Sequence, residues 1–171
     1  MNRQVLLEID ARWSARLCIA DRPGRLRTLT AILAHTGDSW FWILGLVLTW
    51  WWGETQWKIW ALRILGMILA LAFIVMVLKF SIRRRRPVGE WGAIYRSTDP
   101  HSFPSGHAAR AALLATLATA WGPPWLGALL VLWVPFVSLA RVAMGVHYLS
   151  DVLVGIFLGL SVGLIGLLIL G

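Results

Sequence analysis

Residues 57–80 read WKIWALRILGMILALAFIVMVLKF, with no charged side chain between Arg63 and Lys79. About 20 apolar residues of helix, rising about 1.5 Å each, cross the ~30 Å hydrocarbon core of a bilayer. Inside that core a helix can satisfy every backbone N–H and C=O within the segment, and no alternating barrel pattern competes with it. The stretch therefore reads as a membrane-spanning helix. It closes on a dense basic run, Lys79-Phe-Ser-Ile-Arg-Arg-Arg-Arg86-Pro87.

Working outward, four more apolar stretches qualify or nearly qualify: residues 39–52, 107–121, 124–144 and 151–170. The first and second of these are short. Before them, Val5, Leu6, Ile9, Trp13 and Leu17 recur at helical spacing among Arg3, Asp10, Arg12 and Arg16, a pattern that predicts an amphipathic helix lying on the membrane surface. Its apolar positions are too broken for a signal-peptide layout. A second short helix follows the Pro23-Gly24 turn, near residues 26–35. The fold class predicted is all-α: a multi-pass transmembrane helical bundle with an N-terminal amphipathic interfacial helix. It has five spans, or six if residues 24–38 also cross, which Arg25 and Arg27 make costly. The organisation predicted is one domain over 1–171, with 1–38 interfacial and 39–171 forming the bundle.

Trp50, Trp51, Trp52, Trp57, Trp60, Trp121 and Trp125 all fall near span ends on one side of this map. Tryptophan favours the headgroup level, so they mark one interface. Nearly all the lysines and arginines lie on the other side.

Composition agrees. Of 171 residues, 58% are hydrophobic and 14% charged, against roughly 45–50% and 25% in soluble domains. Mean hydropathy is +0.72. This excludes a disordered chain. The net charge of +8 invites a nucleic-acid reading, but the basic residues lack the aromatic interleaving of a single-strand groove. Anionic membrane lipid fits better. Cys18 is the sole cysteine, so neither an intrachain disulfide nor a cysteine metal cluster is available.

Three clusters converge on the basic side. Lys79 and Arg86 place a point charge and a bidentate guanidinium at the membrane boundary, both suited to phosphate oxygens. Arg83, Arg84 and Arg85 read as topology anchors and lipid-headgroup contacts. Pro104-Ser105-Gly106-His107 reads as a helix start, with Ser105 as N-cap and Gly106 allowing an anion close to free amides. His147 and Asp151 share a helix face at a spacing of four, so the carboxylate can fix the imidazole tautomer and leave the other nitrogen nucleophilic. Arg141 lies within reach of the same anion. The residue types Asp99, His101, His107, His147 and Asp151 also permit a metal-dependent hydrolase, without a recognisable metal signature. A basic face that merely binds anionic lipid or a partner is the non-enzymatic alternative.

Taken together, Lys79-x6-Arg86-Pro87, Pro104-Ser105-Gly106-His107 and Arg141-x5-His147-x3-Asp151 resemble the three signature motifs of the type 2 phosphatidic acid phosphatase (PAP2) superfamily. They span residues 79–151. Ala140 stands where the third motif usually carries serine, which touches one accessory hydrogen bond. The resemblance implies that His147 attacks phosphorus and becomes a phosphohistidine, with Asp151 orienting it. His107 would protonate the leaving oxygen and then activate water. Lys79, Arg86, Ser105, the Gly106 amide and Arg141 would hold the phosphoryl oxygens.

Phosphoryl transfer asks mainly for positioning and charge stabilisation, so this set implies no metal and no cofactor. The substrate implied is a lipid phosphate or diphosphate: phosphatidic acid, phosphatidylglycerophosphate, or a polyprenyl phosphate or diphosphate such as undecaprenyl diphosphate. No nucleic-acid partner is implied, and no protein partner is identified. Soluble vanadium-dependent haloperoxidases of that superfamily share the anion pocket but not five apolar spans. The 88–103 loop, with Trp91 and Tyr95, is placed either over the site or at the interface. The expected location is the cell membrane. The positive-inside rule puts the site in the cytoplasm, whereas the family habit puts it outside.

Overall fold

The computed structural model describes residues 2–89, 91 and 99–171. Half of the 88–103 loop, Tyr95 included, lies outside the described residues. Among the described residues seven helices follow one another: α1 (Arg3–Leu17), α2 (Arg25–Thr36), α3 (Ser39–Trp52), α4 (Thr55–Ile82), α5 (Gly106–Trp121), α6 (Pro124–Ala143) and α7 (Leu149–Leu170). Their ends follow local chemistry. Arg83 takes a left-handed conformation, φ 51° and ψ 38°, and stops α4. Ser105 caps α5, and the consecutive prolines at 123 and 124 start α6.

The helix α5 is the axis of the bundle. Its residues from Ala108 to Ala115 are buried, and it packs between α4, α6 and α7. Alanine on α5 meets glycine on α7, and the backbones nearly touch. A Cβ on Gly159 would collide with the Ala109 carbonyl oxygen, and one on Gly155 would lie 2.6 Å from that of Ser105. Small-residue seams of this kind let helices associate where lipid offers no hydrophobic drive. The larger side chains Ile64, Ile68, Leu71, Leu113, Leu117 and Leu130 fill the rest of the core.

Among the described residues three helices are long and apolar enough to cross a membrane: α4 with 28 residues, α6 with 20 and α7 with 22. A fourth crossing arises if α2 and α3, bent by 49° at a short break, act as one broken span. The expected spans at 39–52 and 107–121 are helices of 14 and 16 residues. The second is largely enclosed by α4, α6 and α7. Trp57 and Trp60 meet edge to face at 5.5 Å and line one recess with Trp121, so the α3–α4 and α5–α6 turns share one end of the molecule.

At the other end α1 packs on α7 through its polar side. Asp10 accepts from the Ser150 amide at 3.1 Å, and the Ser14 hydroxyl accepts from the Leu149 amide at 2.9 Å. Val5, Leu6, Trp13 and Leu17 are left exposed.

Candidate active site

The basic tail of α4 is brought back beneath α5 by a short antiparallel contact. Arg85 bridges His101, and the Ser102 amide donates to the Arg84 carbonyl at 2.8 Å. The Ser105 amide in turn donates to the Asp151 carbonyl at 2.9 Å, tying the start of α5 to the start of α7. After α6, a turn through Gly145 at φ +65° delivers His147. The three sequence clusters thus meet at one point.

They surround a cavity of about 200 Å³. Lys79, Arg86, Gly106, His107, Arg141 and His147 line its polar end, and Ile68, Leu71, Ala72, Val75 and Met76 of α4 line the rest. Lys79, Arg86 and Arg141 are all buried. Arg110, also buried, lines the same cavity, and four buried cations around one small space form an anion site, because their mutual repulsion needs negative charge to offset it. Asp99 supplies some. Its carboxylate reaches both the Lys79 ammonium and, at 2.8 Å, the Arg86 guanidinium, so a carboxylate sits where an oxyanion would bind.

Arg86 organises the surroundings. It donates to the Asp99 carbonyl at 2.7 Å and the Val146 carbonyl at 2.8 Å, and approaches His147 Nε2 at 3.3 Å. A guanidinium has no acceptor, so this last contact needs a lone pair on Nε2, which puts the ring proton on Nδ1. Burial, then the charges of Arg86, Arg141 and Lys79, hold the His147 imidazole well below its ordinary value near 6.5. His147 is therefore a neutral imidazole with an unprotonated nitrogen aimed at the anion site.

The anticipated bond between His147 and Asp151 is not formed. Nδ1 and Oδ2 stand 3.6 Å apart, too long for a hydrogen bond. Asp151, fully buried, instead accepts from Arg84 at 2.7 Å and from the Tyr148 amide at 2.9 Å. Arg84 had read as a topology anchor. It is a structural clamp, donating also to Asp10 and Ser150 at 2.7 Å and lying 4.0 Å over the Tyr148 ring. Ser105 stands behind the cavity wall, fully buried, its hydroxyl 3.5 Å from the Ala108 amide it caps.

His107 has a partner that spacing could not reveal. Its Nε2 lies 2.7 Å from Asp38 Oδ1, across 69 positions of sequence. Of the residues that permitted a metal reading, Asp99 and Asp151 are engaged by cations and His101 packs edge to face on Phe80 at 5.6 Å. Among the described residues, no three His, Cys, Asp or Glu side chains gather around a point that could hold a metal ion.

Comparison with known proteins agrees with this layout. A family model described as the PAP2 superfamily matches residues 60–170. Decaprenylphosphoryl-5-phosphoribose phosphatase, from two strains of Mycobacterium tuberculosis, is 34% identical over 163 residues, covering 92% of this chain and 88% of its own length. Two solved structures share the fold. The transmembrane PAP2-type phosphatidylglycerolphosphate phosphatase of Bacillus subtilis superposes with a TM-score of 0.78 at 24% identity, over 96% of this chain and 86% of that one. Aquifex aeolicus LpxE superposes with a TM-score of 0.69 at 24% identity, over 94% and 93%. With its signature residues inside the matched region and its helices in the same arrangement, the chain belongs to the PAP2 superfamily and is a PAP2-type phosphatase.

Proposed function

We propose that this integral membrane protein hydrolyses a lipid phosphate or lipid diphosphate through a phosphohistidine on His147, without a metal. One observation carries the reading: the cavity is cationic at one end and apolar along α4, so it matches a molecule with a phosphate head and a hydrocarbon tail. The 34% identical relative acts, by its name, on a decaprenyl-linked sugar phosphate, which makes a polyprenyl-linked phosphate the first candidate. Phosphatidic acid and phosphatidylglycerophosphate follow.

In this account the phosphoryl group displaces Asp99 from Lys79 and Arg86, and Arg141 and the Gly106 amide complete its cradle. The His147 Nε2 lone pair attacks phosphorus while the P–O bond to the leaving group breaks, and protonated His107 gives that oxygen its proton. Water then attacks the phosphohistidine. His107 takes the water's proton, the N–P bond breaks, and phosphate leaves with both histidines ready for another cycle. The buried cations stabilise the equatorial oxygens throughout, the main catalytic demand of phosphoryl transfer. Positioned acid–base catalysis adds about 10²–10⁴-fold. The exposed Val5, Leu6, Trp13 and Leu17 support an interfacial setting for α1 in the cell membrane.

The test is phosphate release by the purified protein in detergent with excess chelator, using a polyprenyl diphosphate, phosphatidic acid and phosphatidylglycerophosphate, each beside His147→Ala. Release that survives the chelator and drops about 10⁴-fold in the variant supports the reading. Release undiminished in the variant overturns it.

A further inference from the structure

The corner where α2 ends and α3 begins, His35-Thr36-Gly37-Asp38, is built more firmly than a loop needs to be. The Trp42 indole donates to the Thr36 carbonyl at 3.0 Å and the Trp133 indole to the Thr36 hydroxyl at 2.9 Å. Arg110 of α5 donates to the Gly37 carbonyl. Gly37 lies against the His107 ring so closely that a Cβ there would stand 2.9 Å from both His107 Cδ2 and Val137 Cγ2. Side chains from α3, α5 and α6 therefore fix this corner against one histidine.

Asp38 occupies the N-cap position of α3, where aspartate ordinarily accepts from the helix's free amides. Its carboxylate makes no such bond. One oxygen meets His107 Nε2 at 2.7 Å and the other meets His35 Nδ1 at 3.0 Å. A capping residue that gives up its cap to hold two imidazoles is serving the imidazoles. We infer that Asp38 is a positioning residue for His107, fixing its ring and stabilising the imidazolium, with His35 steadying Asp38 from behind.

The physical logic is that of any carboxylate behind an acid–base histidine. With Nε2–H donated to Asp38, Nδ1 is the nitrogen left to deliver and collect the proton. The negative charge offsets the cost of the protonated ring beside Arg141 and Arg110. The inference rests on the proposed acid–base role of His107, and its test separates the two.

Dodecyl phosphate and a nitrophenyl phosphate carrying the same dodecyl chain differ mainly in leaving group. The alkoxide needs a proton as it departs, and the nitrophenolate does not. Asp38→Asn keeps size and shape. It is expected to lower kcat on dodecyl phosphate about a hundredfold with KM nearly unchanged. On the nitrophenyl ester the burst of nitrophenolate should stay within about threefold of wild type, followed by slow turnover, because the water step still needs the base. His35→Gln, which leaves Asp38 and His107 in place, should give the same pattern at about threefold to tenfold.

Equal losses of burst and turnover in both variants would mean a purely structural role and overturn the inference. So would wild-type kcat on dodecyl phosphate in both. If Asp38→Asn proves unfolded, His35→Gln decides alone by the same criterion. His107→Gln runs alongside: full kcat on dodecyl phosphate there would overturn the acid–base reading itself, whereas a loss there with none in Asp38→Asn or His35→Gln would overturn the inference alone.

Discussion

His107 and His147 face one cavity, and each has an aspartate beside it, yet Asp38 touches its histidine at 2.7 Å whereas Asp151 stops 3.6 Å short of the other. The difference follows from how each carboxylate is reached. Asp38 comes from a distant corner and meets two imidazoles. Asp151 sits in the first turn of α7, where Arg84 and the Tyr148 amide engage it. A carboxylate four residues from a histidine shares its face but not necessarily its proton. The His147 site depends on cations in front of the ring, and the His107 site on an anion behind it.

The largest expected effect breaks the cationic side. Arg86→Lys preserves charge but loses the planar fork that meets Asp99, Val146 and His147 together. Activity on a lipid phosphate should fall about 10²–10³-fold, mostly in kcat, as for removal of an oxyanion-stabilising group. Near-normal activity would return the basic face to simple lipid binding.

Arg84→Gln comes next and probes what holds Asp151. Breaking one partner of a buried ion pair costs about 3–5 kcal/mol, read as a lower melting midpoint in detergent. The parallel Asp38→Asn change should leave that midpoint nearly unmoved. Comparable losses in both would erase the distinction drawn between the two aspartates.

Asp99→Asn should act in the opposite direction. Removing the charge that competes for Lys79 and Arg86 should tighten inhibition by inorganic phosphate by about threefold to tenfold, the scale of a screened charge contact of about 1 kcal/mol. Unchanged or weaker inhibition would mean that Asp99 does not compete with the anion.

The smallest change needs no alteration of the site. Burial and the surrounding cations disfavour the His147 imidazolium, so its neutral form should persist as pH falls through 6.5. In nitrogen-15 spectra, assigned with His147→Ala, the ring should still report a neutral imidazole at a pH where an ordinary histidine is half protonated. The linked stability has the same sign: the unfolded chain binds that proton first, so this contribution is lost as the solution is acidified below the ordinary value. A midpoint at or above 6.5 would contradict the electrostatic picture.

Much of the helical layout was legible because lipid enforces it. The run from Arg63 to Lys79 had to become a helix, and α4, α6 and α7 follow the hydropathy. The motifs at Lys79, Pro104 and Arg141 carried the family. What stayed hidden was set by contacts between distant residues. Asp38 carries no reading of its own in the sequence and Arg84 reads as one of three topology anchors, because neither His107 nor Asp10 is near in sequence. The enclosure of α5 is hidden for the same reason: its alanines and the glycines of α7 that meet them are distant in sequence.

The central claim is covalent transfer through His147, and rapid quenching tests it most directly. Protein mixed with phosphorus-32-labelled lipid phosphate in excess chelator, stopped under alkaline conditions and digested, should carry label on the peptide containing His147. The label should be lost in acid, as a phosphoramidate is, and absent in His147→Ala. Labelled phosphate released at full rate with no label ever on that peptide would contradict the account.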